Sequence, residues 1–176
     1  EGDEYDSAYF AKWSKFFYYL PETLIINNIE FDHADIYTSL SEITKAFRQI
    51  VNMVPQRGLI IAHAADKVVA DVLNLAQAPV QTFGIETNAF WRADIVSSTP
   101  QGTDFTLYRQ NEDLGSFHLP MHGAYNVRNA LASIAACHHA GIAPGSMQSG
   151  MASFKGVRRR QETLGEWGNI LLMDDF

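Results

Sequence analysis

The sequence predicts an α/β domain, with a mostly parallel sheet flanked by helices and a small antiparallel patch at its edge. Two observations predict the parallel part: β-type and helical segments alternate between residues 23 and 84, and the first two β-type segments are short apolar runs. A third observation predicts the patch. Between residues 90 and 119, short alternating segments are separated by turn residues, as in antiparallel strands.

The parallel part contains three predicted strands, at residues 23–29, 58–63 and 80–84. Between the first two, apolar residues spaced three and four apart from Ile36 to Val54 form one face of a helix, which ends before Pro55. A second helix is predicted from a cap near Asp66 to Leu75. The resulting β-α-β-α-β order is typical of a parallel sheet with helices on its faces.

The later elements are predicted from alternation, small residues and caps. The antiparallel patch is predicted to consist of strands at 90–96, 103–109 and 116–119, with a hairpin turn at 111–115. A closely packed helix over 124–140, with Gly141 as its C-cap, is followed by a short helix near 144–154 and a β-like tail with a strand at 170–173. We expect a boundary near residue 157, with one domain at 1–157 and the start of another at 158–176.

Composition places the chain among ordinary globular proteins. It has 176 residues, and the 47% that are hydrophobic are enough to form a core, which excludes a disordered chain. Its net charge of −7 gives it no overall attraction to nucleic acid or to an anionic membrane. No apolar run approaches the roughly 18 residues of a membrane helix, and no signal peptide opens the sequence. The single cysteine, Cys137, favours a reducing compartment such as the cytoplasm, and we expect it to be buried and inert.

Two acidic segments could carry chemistry. Residues 1–6 hold four carboxylates, which form either a solvated acidic turn or a site for a divalent cation such as Mg²⁺. His33 follows Asp32 just after the first predicted strand, and ligands of open α/β sheets bind where the strands end. A structural histidine is the alternative.

Two later segments suggest contacts to a phosphorylated ligand. Asn126 and Asn129 share a face at the start of a helix; capping explains one of them, whereas a nucleotide base or phosphate would use both. Residues 155–160 are a basic cluster in an acidic protein. They form either a solvated linker or a phosphate-gripping segment, since arginine binds phosphate through two hydrogen bonds.

Taken in order, these four segments resemble the Mur ligase family, which comprises ATP-dependent amide-forming enzymes of bacterial peptidoglycan metabolism. The resemblance covers nearly the whole chain and rests on its ordered motifs: Glu1-Gly2-Asp3-Glu4-Tyr5-Asp6, Asn28-Ile29-Glu30-Phe31-Asp32-His33, Asn126 with Asn129, and Phe154-Lys155-Gly156-Val157 with Arg159-Arg160. It implies the later part of the central ATP-binding domain and the start of the C-terminal domain. The phosphate-loop sequence G-x-x-G-K-[ST] does not occur here, and in the family it would lie before Glu1.

Within the family, the motifs are most similar to ligases that join a murein tripeptide to UDP-N-acetylmuramate. The alternatives are a UDP-N-acetylmuramate–L-alanine ligase and a non-enzymatic α/β binding module. The resemblance implies ATP and Mg²⁺ as cofactors. From the net charge and the lack of a long apolar run, we expect no nucleic-acid or membrane partner. We expect the chain to be a piece of a longer cytoplasmic ligase and to be inactive alone.

The resemblance also implies residue roles. Tyr125 stands where family members often have histidine, which leaves that contact open. The implied roles are Mg²⁺ binding by Glu1 and His33, with Glu4 beside them; catalysis by His33 and Arg160; ATP contacts by Asn126 and Asn129; phosphate contacts by Arg159 and Arg160; and a ribose contact by Asp175.

Overall fold

The computed structural model describes residues 2–7, 9, 11–160 and 162–175. Six strands form one sheet in chain order, and two further strands form a separate hairpin. The strands are β1 (Thr23–Ile26), β2 (Leu59–His63), β3 (Val80–Ile85), β4 (Trp91–Thr99), β5 (Gly102–Arg109), β6 (Glu112–Leu119), β7 (Glu162–Trp167) and β8 (Ile170–Asp174). The helices are α1 (Leu40–Met53), α2 (Lys67–Leu73), α3 (Ala124–His139) and α4 (Pro144–Ala152), with a short 3-10 helix at Lys15–Tyr19.

The first half of the sheet is parallel, as predicted. β1 pairs with β2 and β2 with β3 in parallel, with α1 and α2 in the connections. The last paired residue of β1, Ile26, lies opposite Ala62, so the chain leaves β1 at the same edge of the sheet as His63 at the end of β2. Asp66 caps α2 as predicted, because its carboxylate accepts hydrogen bonds from the N–H groups of Val68 and Val69.

The second half is antiparallel, which confirms the predicted patch. β4 pairs with β5, and β5 with β6, in antiparallel orientation. β4 also pairs with β3, in parallel, after a short connection. Together with the two pairings of the first half, three of the five pairings in this sheet are parallel. The tight turn into β5 requires Gly102. Its φ is 151°, and a Cβ there would lie 2.6 Å from the backbone oxygen of Leu119.

The core consists of two main apolar clusters. One packs α3 and α4 on the sheet around the fully buried Phe83, Trp91 and Phe105, and the other packs α1 and α2 on β1 and β2. Small residues of α3, among them Ala130 and Ala135, are buried at its contact with the sheet, as the sequence predicted. Among the described residues, no helix combines the length and the apolar character that a membrane crossing requires.

The C-terminal hairpin stands apart from this core. Within the described residues, β7 and β8 pair only with each other. Their apolar side chains, including Trp167 at 81% exposure and Ile170 at 66%, face solvent. An isolated two-stranded hairpin is marginally stable in water. The boundary expected near residue 157 precedes this hairpin and stays a prediction.

Candidate functional site

The acidic segment lies against the turn that carries His33. Glu1 lies outside the described residues. Glu4 lies beside His33, with its Oε1 3.6 Å from Nε2 of the imidazole. Both side chains are largely buried, at 18% exposure for Glu4 and 26% for His33. Two segments separated by nearly thirty residues thus present one carboxylate and one imidazole side by side.

Three tyrosine-mediated contacts join these segments. The Tyr5 hydroxyl donates a hydrogen bond to the Asp35 carboxylate, and the Tyr5 ring meets the His33 ring edge-on at 4.7 Å. The Tyr37 hydroxyl donates to the backbone oxygen of Glu4 at 2.6 Å. Because the contacts involve His33, Asp35 and Tyr37, they fix the turn relative to the acidic segment.

The hydrogen bond between Tyr5 and Asp35 also determines their ionisation. It is the largest cause that raises the pKa of Tyr5 and lowers the pKa of Asp35. Tyr5 is therefore a neutral donor and Asp35 a charged acceptor at neutral pH. Burial, as the largest cause, raises the pKa of Tyr37, so its hydroxyl also stays a donor.

The donors at this position fit a divalent cation that keeps other ligands. Mg²⁺ is commonly held by one or two carboxylates and completes its shell with water and substrate phosphate oxygens. Asp3 and Asp6 face Lys15 and Lys12, at 2.9 and 3.3 Å, which leaves Glu4 as the acidic partner of His33. Within the described ranges, no three His, Cys, Asp or Glu side chains are gathered as a metal site.

The two asparagines of α3 line a cavity of about 380 Å³ between α3, α4 and the end of β6. Asn126 donates from Nδ2 to the backbone oxygen of His122 at 2.8 Å, which ties it to the preceding loop. The side-chain amide of Asn129 makes no hydrogen bond to the described part of the chain. The other lining side chains are mostly apolar, among them Ile134, Met147 and Phe154. This combination suits a flat heteroaromatic ring that needs one polar contact.

The basic cluster occupies the turn between α4 and β7. Arg159 has a φ of 57°, and its Nε lies 3.9 Å from the Asp174 carboxylate at the end of β8. The backbone N–H of Arg160 donates to the oxygen of Val157, a residue that lines the cavity. Asp175 follows directly after β8. The basic turn therefore adjoins the cavity on one side and the hairpin on the other.

His63 and Arg128, two residues not predicted from the sequence, link α3 to the sheet edge. Burial, and then the nearby Arg128 guanidinium, lower the pKa of His63, with Asp66 opposing. Since His63 ends β2, the first turns of α3 lie at the edge where the parallel strands end. Arg128 forms no hydrogen bond or ion pair within the described ranges. His33 was predicted because it follows an apolar strand. The same pattern, a polar residue at the end of an apolar strand, also points to His63.

Cys137 corrects one expectation. The thiol was expected to be buried among the small residues of α3, but the residue is exposed and lines the cavity. The buried face of α3 runs through Val127, Leu131, Ile134 and Ala135, and position 137 falls outside that face.

Comparison with known proteins identifies the family to which these features correspond. Residues 7–137 match the model of the Mur ligase middle domain. The chain is 37% identical, over its whole length, to the UDP-N-acetylmuramate–L-alanyl-γ-D-glutamyl-meso-2,6-diaminoheptandioate ligase of Haemophilus influenzae, of which it covers 38%. It is 35% identical over 89% of its length to the UDP-N-acetylmuramate–L-alanine ligase of Acetivibrio thermocellus, of which it covers 34%.

Structural similarity indicates the same family as sequence similarity. The murein peptide ligase of Psychrobacter arcticus superimposes with a TM-score of 0.80 at 35% identity, over all of this chain and 36% of that one. The resemblance inferred from the motifs is confirmed. The chain spans little more than a third of the length of these relatives.

Proposed function

The chain belongs to the Mur ligase family, and from this premise we propose that it is the central part of a peptidoglycan-recycling ligase. The proposed reaction joins the tripeptide L-Ala-γ-D-Glu-meso-diaminopimelate to UDP-N-acetylmuramate at the expense of ATP. The observation that carries this proposal is that the loop leaving β1 carries His33 with Glu4 beside it, and that His63, close to Arg128 of α3, ends β2 at the same edge of the sheet. Open α/β sheets bind their ligands at this edge.

The reaction divides into two transfers. The carboxylate of UDP-N-acetylmuramate attacks the terminal phosphorus of ATP, ADP leaves, and an acyl phosphate forms. The tripeptide amine then attacks the acyl carbon, and phosphate leaves as the amide forms. Phosphoryl transfer of this kind depends mainly on positioning and on neutralising charge.

The described residues would share that work. The adenine ring would enter the cavity, where the Asn129 amide offers both a donor and an acceptor, with Asn126 beside it. Arg159 and Arg160 would contact phosphate, and Asp175 the ribose. The adjacency of the basic turn and the cavity supports this division.

Glu4 and His33, together with Glu1, would hold Mg²⁺. The bound ion would supply positive charge at the transferred phosphoryl group. Glu4 would contribute the carboxylate, and His33 would be oriented by the turn that the tyrosines hold in place. Because the reaction consumes ATP, we place it in the cytoplasm.

The 176 residues alone are expected to give no turnover. They contain no G-x-x-G-K-[ST] sequence, whose backbone amides and lysine would cradle the ATP phosphates, and they span little more than a third of their relatives. Turnover by the isolated chain would contradict this part of the proposal.

A second function has specific support. The Acetivibrio relative is named as an L-alanine ligase and is 35% identical, close to the 37% of the Haemophilus ligase. Both names include UDP-N-acetylmuramate, so the amine is the difference to be tested.

The test uses the full-length protein that carries this segment. It is incubated with ATP, Mg²⁺ and UDP-N-acetylmuramate, then given either L-alanine or the tripeptide, and phosphate release is followed. Release with the tripeptide alone supports the recycling ligase, whereas release with L-alanine alone supports the alternative. Absence of release with both amines would favour a non-enzymatic α/β binding module.

A further inference from the structure

Tyr5 contacts the His33 turn in two ways. Its hydroxyl donates to Asp35, two residues beyond His33, and its ring lies 4.7 Å from the His33 ring at an interplanar angle of 68°. One side chain of the acidic segment therefore contacts both the imidazole and the carboxylate of a second residue in the same turn.

The His33 turn needs such a restraint. The φ of His33 is 56°, in the left-handed region that residues with a side chain seldom adopt. Its backbone oxygen accepts hydrogen bonds from the N–H groups of Ile36 and Tyr37, both at 3.0 Å, which close the turn. These bonds fix the backbone but leave the direction of the imidazole to its neighbours.

We propose that Tyr5 is a positioning residue, whose hydrogen bond to Asp35 and edge-on ring contact hold the His33 imidazole toward Glu4. The inference rests on the proposed function only in giving the Glu4–His33 pair a cation to bind. The positioning itself concerns side chains of this chain and can be measured without catalysis.

The fold does not depend on the Tyr5 hydroxyl. The two segments stay joined by the bond from Tyr37 to the Glu4 backbone oxygen and by the contact between Ser14 Oγ and the Tyr37 hydroxyl at 2.9 Å. The bond from Tyr5 to Asp35 is exposed. Its removal should therefore reorient His33 and leave the stability of the domain nearly unchanged.

The experiment uses the 176-residue chain with labelled histidine, tyrosine and phenylalanine rings, so that the ring at position 5 is observed in every variant. NMR measures the Tyr5–His33 ring contact as a nuclear Overhauser effect, and Mn²⁺, as a paramagnetic probe, gives the cation affinity from the broadening of the His33 signal. The variants are Tyr5→Phe, Asp35→Ala and Asp35→Asn, the last of which keeps an acceptor oxygen. Tyr18→Phe is the matched control, because it removes another exposed tyrosine hydroxyl, one that accepts a 2.6 Å bond from Trp13.

We expect Tyr5→Phe and Asp35→Ala to weaken the ring contact and to lower Mn²⁺ affinity about 3- to 10-fold, the effect of losing one hydrogen bond. Asp35→Asn should retain much of both, and Tyr18→Phe should match the parent. An unchanged ring contact in Tyr5→Phe, or an equal change in Tyr18→Phe, would overturn the inference. If the parent chain binds no Mn²⁺, the cation role of the pair fails, and the ring contact alone decides whether Tyr5 positions His33.

Discussion

Arg109 Nη1 lies 2.8 Å from Nε2 of His138, and this contact joins the last turn of α3 to the end of β5. The imidazole also meets the buried Trp91 ring edge-on at 5.1 Å. Since the guanidinium can only donate, His138 accepts through a neutral ring. Burial, and then Arg109, lower the pKa of His138, although Glu112 opposes them.

The first prediction is a loss of stability in mild acid. The folded state binds the His138 proton less readily than the unfolded state does. The free energy of unfolding should therefore have its highest value above about pH 6.5 and decrease as the pH falls below that value. Urea unfolding at pH 7.5 and at pH 5 measures this loss of stability. The pKa of His63 is also lowered, so His63 contributes to the loss in the same direction. His138→Gln should reduce the pH dependence, with His139→Gln as the adjacent exposed control. Equal pH dependence in both variants would contradict the assignment.

The second prediction concerns the core. Trp91 is fully buried, and its indole N–H donates to Gln81 at 2.8 Å, so Trp91→Ala should lower the free energy of unfolding by about 3–5 kcal/mol. Trp167→Ala removes the same side chain from an exposed position on the hairpin and should change it by less than about 0.5 kcal/mol. Denaturant titrations of the two variants test this, and comparable losses would show that the hairpin is packed.

The sequence predicted the order and type of the elements because each depends on local spacing. It was less accurate at element ends, where tertiary contacts decide. The first strand was expected to reach residue 29 but ends at Ile26, and Ile29 is nevertheless buried, with its N–H directed at Asp66. The helix face expected from Ile36 begins as a helix at Leu40, since residues 33–37 form the turn that packs on the acidic segment.

The candidate site was predicted unevenly for the same reason. Helical spacing placed Asn126 and Asn129 on one face, and both line the cavity. No local rule places Glu4 beside His33, because the contact depends on how two distant segments pack; the family resemblance supplied that expectation. Cys137 shows the limit of small-residue patterns, which do not indicate the side of the helix that faces solvent.

The third prediction tests the cavity as a nucleotide site. Asn129→Ala should weaken ATP binding by the full-length protein about 10-fold, the cost of one hydrogen bond to the base, without lowering stability, because the amide makes no bond within the described ranges. Asn111→Ala, at the exposed turn before β6, is the matched control. Calorimetric titration with ATP measures both variants. Unchanged ATP affinity in Asn129→Ala would place the base elsewhere.

The fourth prediction concerns Arg128 and His63. Removing the guanidinium should raise the pKa of His63 toward its ordinary value, while burial, the larger cause, still holds it below that value. An NMR titration of the His63 ring in Arg128→Met against the parent chain measures the shift. Arg48→Met, which removes an exposed arginine that pairs with Asp71, should leave the His63 titration unchanged.

The same pair should respond to phosphate. Arg128 has no ion-pair partner within the described ranges, so an oxyanion at the sheet edge would meet an available guanidinium. Binding of the anion offsets the positive charge of Arg128, so inorganic phosphate should raise the pKa of His63 in the parent chain and have little effect in Arg128→Met. If phosphate shifts the His63 titration equally in both chains, the anion binds away from Arg128. If it shifts neither, this edge of the sheet does not hold phosphate through Arg128.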